Sequence, residues 1–244
     1  MSRYFLEVSY KGTNYSGFQT QKNANSIQAE IEKAFLILQK ENIVLTGSSR
    51  TDTGVHALQN FFHFDYDNEL HPQIIYKVNA ILPADIVVKK IFPVPAVAHC
   101  RFDAISREYK YFIYRHKDPF LKDRAFYFPY KLDIKKLQEA AEIVKHYHDF
   151  TSFSKRNTQV KSFICEVKNS QWYFDNDCLI YSVRANRFLR GMVRALTATM
   201  LRVGRGIIDL EDFKKIIESK NCMLASFAVP PHGLFLTSVE MPAY

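Results

Sequence analysis

The chain has 244 residues, a formal net charge of +8 and four scattered cysteines. Its 47% hydrophobic content is typical of a folded globular protein, its charged N-terminus is unlike a signal peptide, and no apolar run approaches the roughly 18 residues of a membrane span. The positive charge favours an anionic partner, nucleic acid first, and the cysteine spacing fits neither a zinc site nor a disulfide framework but predicts reduced thiols in a soluble cytoplasmic protein.

The first half of the chain predicts strands and helices in the order β-α-β-β-α-β. The predicted strands lie near 3–10, 43–48, 60–66 and 85–92. The first predicted helix is capped by Asn25, with Gln28 at the capping-box position, and the second begins at Pro72. Both helices place apolar residues at helical spacing. This order of elements is that of the split βαβ, or ferredoxin-like, unit.

The second half repeats this pattern. Its predicted strands lie near 106–116, 159–170, 178–186 and 234–240. Its predicted helices are one capped by Asp133, a long one over about 187–203 and a shorter one over 210–219. The predicted fold class is therefore α+β, with two ferredoxin-like halves, 1–103 and 104–244, whose antiparallel sheets join around a central basic active-site cleft.

A polar segment, GSSRTDTGVHALQN, interrupts two predicted strands at residues 47–60. It is longer than a simple hairpin turn and holds one carboxylate, Asp52, two positions from Arg50. The segment is either a solvated loop with an exposed ion pair or a catalytic loop. Metal-dependent nucleases cluster several carboxylates, whereas a single charged aspartate suits nucleophilic or base chemistry at a sugar carbon. His56 could be an acid-base group or a histidine hydrogen-bonded to its own loop.

Arginines dominate the stretch from Cys178 to Ile208, which contains no acidic side chain. Arg187, Arg190 and Arg194 are spaced three and then four residues apart, which predicts one helix face. That face either is simply solvated or engages a polyanion or a carboxylate. Around Arg101, cations alternate with aromatic residues, a pattern that suits RNA binding and equally suits a half-buried strand.

Seven segments, in sequence order, resemble those of the tRNA pseudouridine synthase A family. SRTDTGVHA (49–57) resembles the family's catalytic signature GRTDAGVHA. The other six segments are YKGTNYSGFQTQ, VNAILPADIVV, AHCRFDAISREYKY, HDFTSF, NRFLRGMVR and GLFLTSV. The resemblance covers nearly the whole chain, and it implies the family's fold of two ferredoxin-like halves.

The resemblance also implies residue roles. Asp52 corresponds to the essential aspartate, Tyr109 to the tyrosine that contacts the uracil, and Arg194 to the arginine that pairs with the catalytic carboxylate. Arg50 is implied to help extrude and replace the target base. The predicted catalytic residues are thus Asp52, Tyr109 and Arg194. The predicted substrate-binding residues are Arg50, Tyr109, His56, Arg187, Arg190, Arg101 and Gln19.

The family isomerises uridines at positions 38, 39 and 40 of the tRNA anticodon stem-loop. It works as a homodimer with a basic cleft for tRNA and needs no cofactor and no metal. We therefore expect a tRNA partner bound through its anticodon arm, a homodimer, and neither a cofactor nor a metal. Ser49, Thr53 and Phe18 depart from the family pattern, and these departures bear on loop geometry and substrate range rather than on the reaction.

Two other functions remain open from the residues alone. A non-catalytic RNA-binding module would account for the charge and the aromatic residues, and its function would survive Asp52→Asn. A metal-dependent phosphodiesterase would use Asp52, His56 and His63, and chelation would abolish its activity.

Overall fold

The computed structural model describes residues 1–156 and 160–244, which form an α+β structure. In chain order the strands are β1 (Ser2–Tyr10), β2 (Thr46–Gly47), β3 (His56–Tyr66), β4 (Ile86–Val94), β5 (Ser106–Tyr114), β6 (Phe126–Tyr127), β7 (Val167–Asp175), β8 (Cys178–Ala185) and β9 (Leu234–Glu240). The α-helices are α1 (Ile27–Gln39), α2 (Ile74–Ile81), α3 (Ile134–Val144), α4 (Met192–Gly204) and α5 (Leu210–Glu218). Within the described ranges, no helix has the length and apolar character needed to cross a bilayer.

The contacts within the chain separate it into two units. The first unit comprises Met1–Ile105 together with Phe235–Tyr244, and the second comprises Ser106–Leu234. The sequence places residues 235–244 with the second half. In the structure, β9 pairs in parallel with the start of β3, His56 opposite Phe235 and Ala57 opposite Leu236. The chain therefore returns to its first unit after the second is complete.

The first unit is built on a mixed sheet with β1 at its centre. β1 pairs antiparallel with β3 on one side and with β4 on the other, and β2 pairs antiparallel with β3. Helix α1 packs its apolar side against this sheet, where the Phe35 ring lies 5.4 Å from the Phe64 ring. Phe5, Phe35 and Phe62 are fully buried. This aromatic core supports the strands from which the polar segment emerges.

The second unit also has a mixed sheet. β8 lies between β5 and β7 and is antiparallel to both, while the short β6 pairs in parallel with β5. Helices α3 and α4 pack against each other, and α3 also contacts β7. Trp172 and Tyr181 face each other across β7 and β8, with ring centroids 5.1 Å apart. β5 and the segment before α4 carry most of the residues that the sequence singles out in this unit.

Two predicted helix starts are wrong, and in both cases the backbone gives the reason. Ser26, rather than Asn25, caps α1, since its hydroxyl oxygen accepts the backbone N–H of Ala29 at 3.2 Å. The Gln28 side chain instead donates to Glu32 and to the carbonyl of Leu45. The second helix begins at Ile74, two residues after Pro72, because Gln73 has a non-helical ψ of 21°.

The long helix predicted over 187–203 begins only at Met192. Gly191 at its N-cap has φ 76°, a left-handed conformation that a right-handed helix cannot contain and that glycine adopts without strain. The predicted cap of α3 holds, since Asp133 accepts the N–H of Lys136. α5 starts at Leu210 as predicted, and the structure shows a capping box formed by Asp209 and Asp212 in front of it.

The strand predicted near 159–170 lies at Val167–Asp175 instead, and residue 159 falls outside the described residues. A two-residue turn, Asn176-Asp177, joins β7 to β8, and Asn176 has φ 49°. Such a turn fixes the register of a hairpin, so β7 must extend to the residue before it. β3 likewise begins at His56 rather than near residue 60, which shortens the polar loop to residues 48–55.

Candidate active site

A buried hydrogen-bond network holds the loop 48–55. Asn60, fully buried on β3, accepts the N–H of Ser49 at 3.3 Å and donates to the Ser49 carbonyl at 2.8 Å. The same amide donates to the Tyr10 hydroxyl at 3.1 Å, and Tyr10 is hydrogen-bonded to the Thr51 hydroxyl at 2.8 Å. Because all these groups are shielded from water, breaking one of them leaves a buried polar atom without a partner. The hydrogen bonds of Asn60 and Tyr10 therefore fix the conformation of the loop.

Gly12 makes a second attachment to this loop. Its N–H donates to Nδ1 of His56 at 3.0 Å, and a side chain at Gly12 would overlap the carbonyl of Val55. His56 is only 1% exposed, and its ring centroid lies 4.5 Å from that of Phe235. One partner of His56 thus lies on the segment after β1. His56 is thus buried in this structure, and its contact with a substrate stays a prediction.

Asp52 lies at the accessible part of the loop. It is half-buried, and its carbonyl accepts the N–H of Val55 at 3.1 Å. Arg50 is exposed and lines a pocket of the first unit.

The Arg50 side chain lines a pocket of about 220 Å³ in the first unit. The pocket brings together three of the predicted substrate-binding residues, Gln19, Arg50 and Arg101, from three separate segments. Phe102 also contributes to the wall and is 74% exposed, with the Arg101 guanidinium 5.7 Å from its ring centroid. The complete lining is Phe18, Gln19, Gln28, Leu45, Thr46, Gly47, Arg50, His99, Arg101 and Phe102. We call this the Arg50 pocket.

In the second unit, Tyr109 lies on β5 with 9% of its surface exposed. Its ring meets that of Phe188 edge to face, with centroids 5.1 Å apart and planes at 85°. Phe188 belongs to the segment between β8 and α4, so this segment fixes the orientation of the tyrosine ring. Two positions along the strand, the buried Tyr111 donates its hydroxyl to the carbonyl of Pro230 at 2.7 Å. Burial raises the pKa of Tyr111, so it remains a hydrogen-bond donor.

Arg194 lies in the first turn of α4. Its Nε and Nη2 both donate to the carbonyl of Val229, at 3.0 and 2.6 Å. Val229 precedes Pro230, so the Tyr111 hydroxyl and the Arg194 guanidinium hold neighbouring carbonyls of one segment. A guanidinium has five N–H groups, and those not used on Val229 keep a fixed direction for an anionic partner.

The three arginines predicted on one helix face do not share a helix. Arg187 and Arg190 are exposed and precede α4, and only Arg194 is helical. The Arg190 carbonyl accepts the N–H of Lys155 at 3.0 Å, which ties this segment to the rest of the unit. Arg187 and Arg190 therefore present two exposed cations on an irregular segment.

Among the residues that the structure describes, one group of side chains could hold a metal ion. His63, His99 and Cys100 of the first unit each place a ligand atom within 4.8 Å of the others. In the structure these atoms already share hydrogen bonds: His63 Nδ1 lies 3.2 Å from Cys100 Sγ, and that thiol donates to the carbonyl of Thr46 at 3.1 Å. Among the described residues no such group includes Asp52 or His56. The donor set of the phosphodiesterase alternative is therefore not assembled.

Comparison with known proteins assigns the chain to a family. A family model described as tRNA pseudouridine synthase matches residues 7–103 and 144–242. The chain is similar to the tRNA pseudouridine synthase A of Parabacteroides distasonis, 42% identical over 244 residues that cover 99% of this chain and 97% of the relative. The corresponding protein of Bacteroides fragilis is 42% identical over 245 residues, with the same coverage. That of Staphylococcus aureus is 37% identical over 242 residues, covering 98% of this chain and 91% of the relative.

This chain belongs to the tRNA pseudouridine synthase family. It is an enzyme of the isomerase class, as the seven sequence segments predict.

Several residues that shape the site were not predicted. Tyr10 and Asn60 contact the loop through the pairing of β1 with β3, two strands that are far apart in sequence. In the second unit, Phe188 contacts Tyr109 and Val229 contacts Arg194, and these contacts too join residues that are far apart in sequence. One available signal was Asn60 itself. It is a carboxamide directly before the aromatic pair Phe61-Phe62, and such a side chain is expected to be buried only with its hydrogen bonds satisfied.

Proposed function

We propose that the chain isomerises uridine to pseudouridine in tRNA with Asp52 as the catalytic carboxylate. The family gives the class of reaction. The observation that carries the assignment to Asp52 is the loop itself, which Tyr10 and Asn60 hold from below while Asp52 stays half-buried at its accessible part. A reactive group on a rigid support is what preorganised catalysis requires.

The reaction breaks the bond between N1 of uracil and C1′ of ribose and forms a bond between C5 and the same C1′. Asp52 adds to the sugar, adds to the base or removes a ribose proton as the first bond breaks. The detached uracil turns within the site so that C5 faces the ribose. C5 then loses its proton, which passes to solvent, and N1 takes up a proton, so the product has the composition of uridine and no other reactant is consumed. The target must leave the base stack before any of these steps.

Tyr109 and Arg194 serve the same reaction in this proposal. Tyr109, its ring fixed by Phe188, contacts the uracil and takes the C5 proton. Arg194 acts as the partner of the catalytic carboxylate, and its two hydrogen bonds to Val229 support this role because they fix the direction of the remaining N–H groups. Arg50 helps to extrude the target base and replace it in the stack.

The finer features of the proposal follow the resemblance in sequence. The target uridines are positions 38, 39 and 40 of the anticodon stem-loop, and the enzyme is a cytoplasmic homodimer that needs neither a cofactor nor a metal. Each unit is a ferredoxin-like half. For the first unit, the order β-α-β-β-α-β and the antiparallel pairing of β1 with β3 and β4 support this assignment.

The test is release of tritium from a tRNA transcript that carries [5-³H]uridine, with purified protein in excess EDTA. Formation of the new bond at C5 expels the tritium, so wild-type protein is expected to release it to water. Asp52→Ala should release none while still binding the transcript. Asp67→Asn, a change at an exposed aspartate, serves as the control and should match the wild type.

Failure of wild-type protein to release tritium from tRNA that it binds would refute the proposal for that tRNA and favour a non-catalytic RNA-binding module. Activity that EDTA abolishes and added metal restores would contradict the metal-independent mechanism. Release by Asp52→Ala at the wild-type rate would remove Asp52 from the chemistry.

A further inference from the structure

We propose that the Arg50 pocket binds a single RNA nucleotide next to the target uridine, with its base stacked on Phe102 and its phosphate on Arg50 and Arg101. This inference rests on the proposed function and extends it by assigning a second nucleotide site. All the residues that form the pocket belong to the first unit.

The charge of the pocket selects an anion. Arg50 and Arg101 are exposed cations on its wall, and none of its ten lining residues is acidic. Two arginines in the wall of one cavity, with no acidic residue in the lining, match the charge of a phosphodiester. The anion is also expected to be part of a larger, partly apolar ligand, because Phe18 and Leu45 line the same space.

The aromatic part of the wall selects a flat ring. Phe102 leaves 74% of its surface exposed, which is unfavourable for an isolated phenyl group in water. Two neighbours contact its ring, with the His99 ring centroid 4.2 Å away and the Arg101 guanidinium 5.7 Å away. An exposed aromatic ring beside arginines is how single-stranded nucleic acids are bound without strong sequence preference.

Size and polar groups limit the ligand to one nucleotide. The volume of about 220 Å³ is below the roughly 300–1,000 Å³ of pockets that enclose drug-sized molecules, so the pocket holds no more than one nucleotide. The Gln28 amide is already engaged by Leu45 and Glu32. Gln19 is exposed, and within residues 1–156 and 160–244 its amide has no protein partner, so it is available to a base edge.

The position along the loop places this nucleotide close to the target. Arg50 and Asp52 are two residues apart, so their Cα atoms are separated by at most about 7.6 Å. Stacked nucleotides of one strand rise by about 3.4 Å each. This short spacing along one loop supports a nucleotide site close to the target uridine.

The test is a binding cycle with anticodon stem-loop RNAs, carried out in an Asp52→Ala background so that no turnover occurs. One RNA is intact, and two others lack the base at the position directly 5′ or directly 3′ of the target uridine. Phe102→Ala should weaken binding of the intact RNA about tenfold, the usual cost of losing one base stack. The protein that retains Phe102 should bind one of the two abasic RNAs about tenfold more weakly than it binds the intact RNA. The Phe102→Ala protein should bind that abasic RNA and the intact RNA with equal affinity.

Phe120→Ala is the matched control, because Phe120 is 77% exposed and lies in the second unit. It should bind all RNAs like its parent, and Phe102→Tyr should retain the stack. Additive losses from Phe102→Ala and both abasic changes would overturn the proposal, as would equal losses from Phe120→Ala. Neither result would affect tritium release by the wild type, so the two proposals fail separately.

Discussion

The Asn60 side chain connects the reactive loop to the strand beneath it. One carboxamide serves both the N–H and the carbonyl of Ser49, and it also bonds the hydroxyl of Tyr10. None of these groups faces water, so their energetic value lies mainly in the cost of leaving them without partners. The Asp52 carboxylate depends on this arrangement for its position although it does not touch Asn60.

We predict that Asn60→Ala lowers the free energy of unfolding by about 2 kcal/mol, since several buried polar groups lose their partner. Tritium release should slow through kcat, with little change in KM, because the RNA-binding surface is unaltered. Urea unfolding and steady-state kinetics measure the two effects. Asn68→Ala, at an exposed position, is the control. A wild-type kcat in Asn60→Ala would show that the network does not position Asp52.

The stability of the chain should also depend on His63. Burial, together with the charge of His99, lowers the pKa of His63 to about 4, from an ordinary value of 6.5. The unfolded chain takes up a proton near pH 6.5, and the folded chain does so only near pH 4. Between these values the unfolded state binds more protons, so acidification favours unfolding.

We therefore predict that this histidine makes the free energy of unfolding fall between pH 6.5 and pH 4, by roughly 3 kcal/mol at most. His63→Gln should be less sensitive to pH over this window, as measured by urea unfolding at a series of pH values. The exposed His146 gives the control His146→Gln, which should keep the wild-type slope. An unchanged slope in His63→Gln would contradict the prediction.

At the level of single residues, the sequence pointed to Asp52 as a lone carboxylate, to Arg101 as a cation beside aromatic residues, and to Arg50 through the family resemblance. The structure brings Arg50 and Arg101 into one pocket, and the role of Asp52 stays a prediction. The burial of His56 could not be foreseen, because it follows from the pairing of β3 with a strand about 180 residues later. Contacts between residues so far apart leave no local pattern in the sequence.

Among the elements, β5 acts on the segment that holds Arg194. The Tyr111 hydroxyl fixes the Pro230 carbonyl, and the adjacent Val229 carbonyl receives two N–H groups from Arg194. Tyr111 is fully buried, and its ring also packs against Gly233 of the same segment. β5 thereby fixes the segment Val229-Pro230, and this segment holds Arg194 in the first turn of α4.

We predict that Tyr111→Phe reduces kcat several-fold, because the freed segment no longer fixes the direction of the Arg194 guanidinium. Affinity for tRNA should change little. Tyr114→Phe, a buried substitution on the same strand, should retain the wild-type rate. Equal rates for the two variants, in single-turnover kinetics with tritiated tRNA, would show that the Tyr111 hydroxyl has no part in the function.

The order of the elements was largely predictable, whereas their ends were not. Periodicity located α1, α3 and α5, whose apolar faces repeat at helical spacing. Arg187 and Arg190 lie at helical spacing from Arg194 although they precede α4. Only the left-handed conformation of Gly191 shows where α4 begins. In the sequence, a glycine beside a methionine does not reveal its φ angle.

For the molecule as a whole, the net charge of +8 is expected to govern RNA binding. Each phosphate neutralised by a cation releases counterions, so affinity should fall linearly on a log–log plot against salt. We predict that Arg187→Gln and Arg190→Gln each reduce this slope by about 0.7–0.9, the contribution of one phosphate contact. Fluorescence anisotropy at several salt concentrations measures it.

Lys214→Gln is the control for this series, because the Lys214 ammonium is already paired with Glu211 at 2.7 Å. Its salt slope should equal that of the wild type. If neither arginine variant changes the slope, the exposed segment before α4 makes no phosphate contact, and the basic charge acts elsewhere on the surface.

The return of Phe235–Tyr244 to the first unit constrains how the chain folds during synthesis. The ribosome completes residues 1–105 and then makes the entire second unit before β9 emerges to pair with β3. At about 5–20 residues per second, the edge of β3 around His56 and Ala57 waits on the order of ten seconds for its partner. During that interval the reactive loop lies beside an unpaired strand edge, so the nascent chain acquires its finished site only after almost all of its residues have been joined.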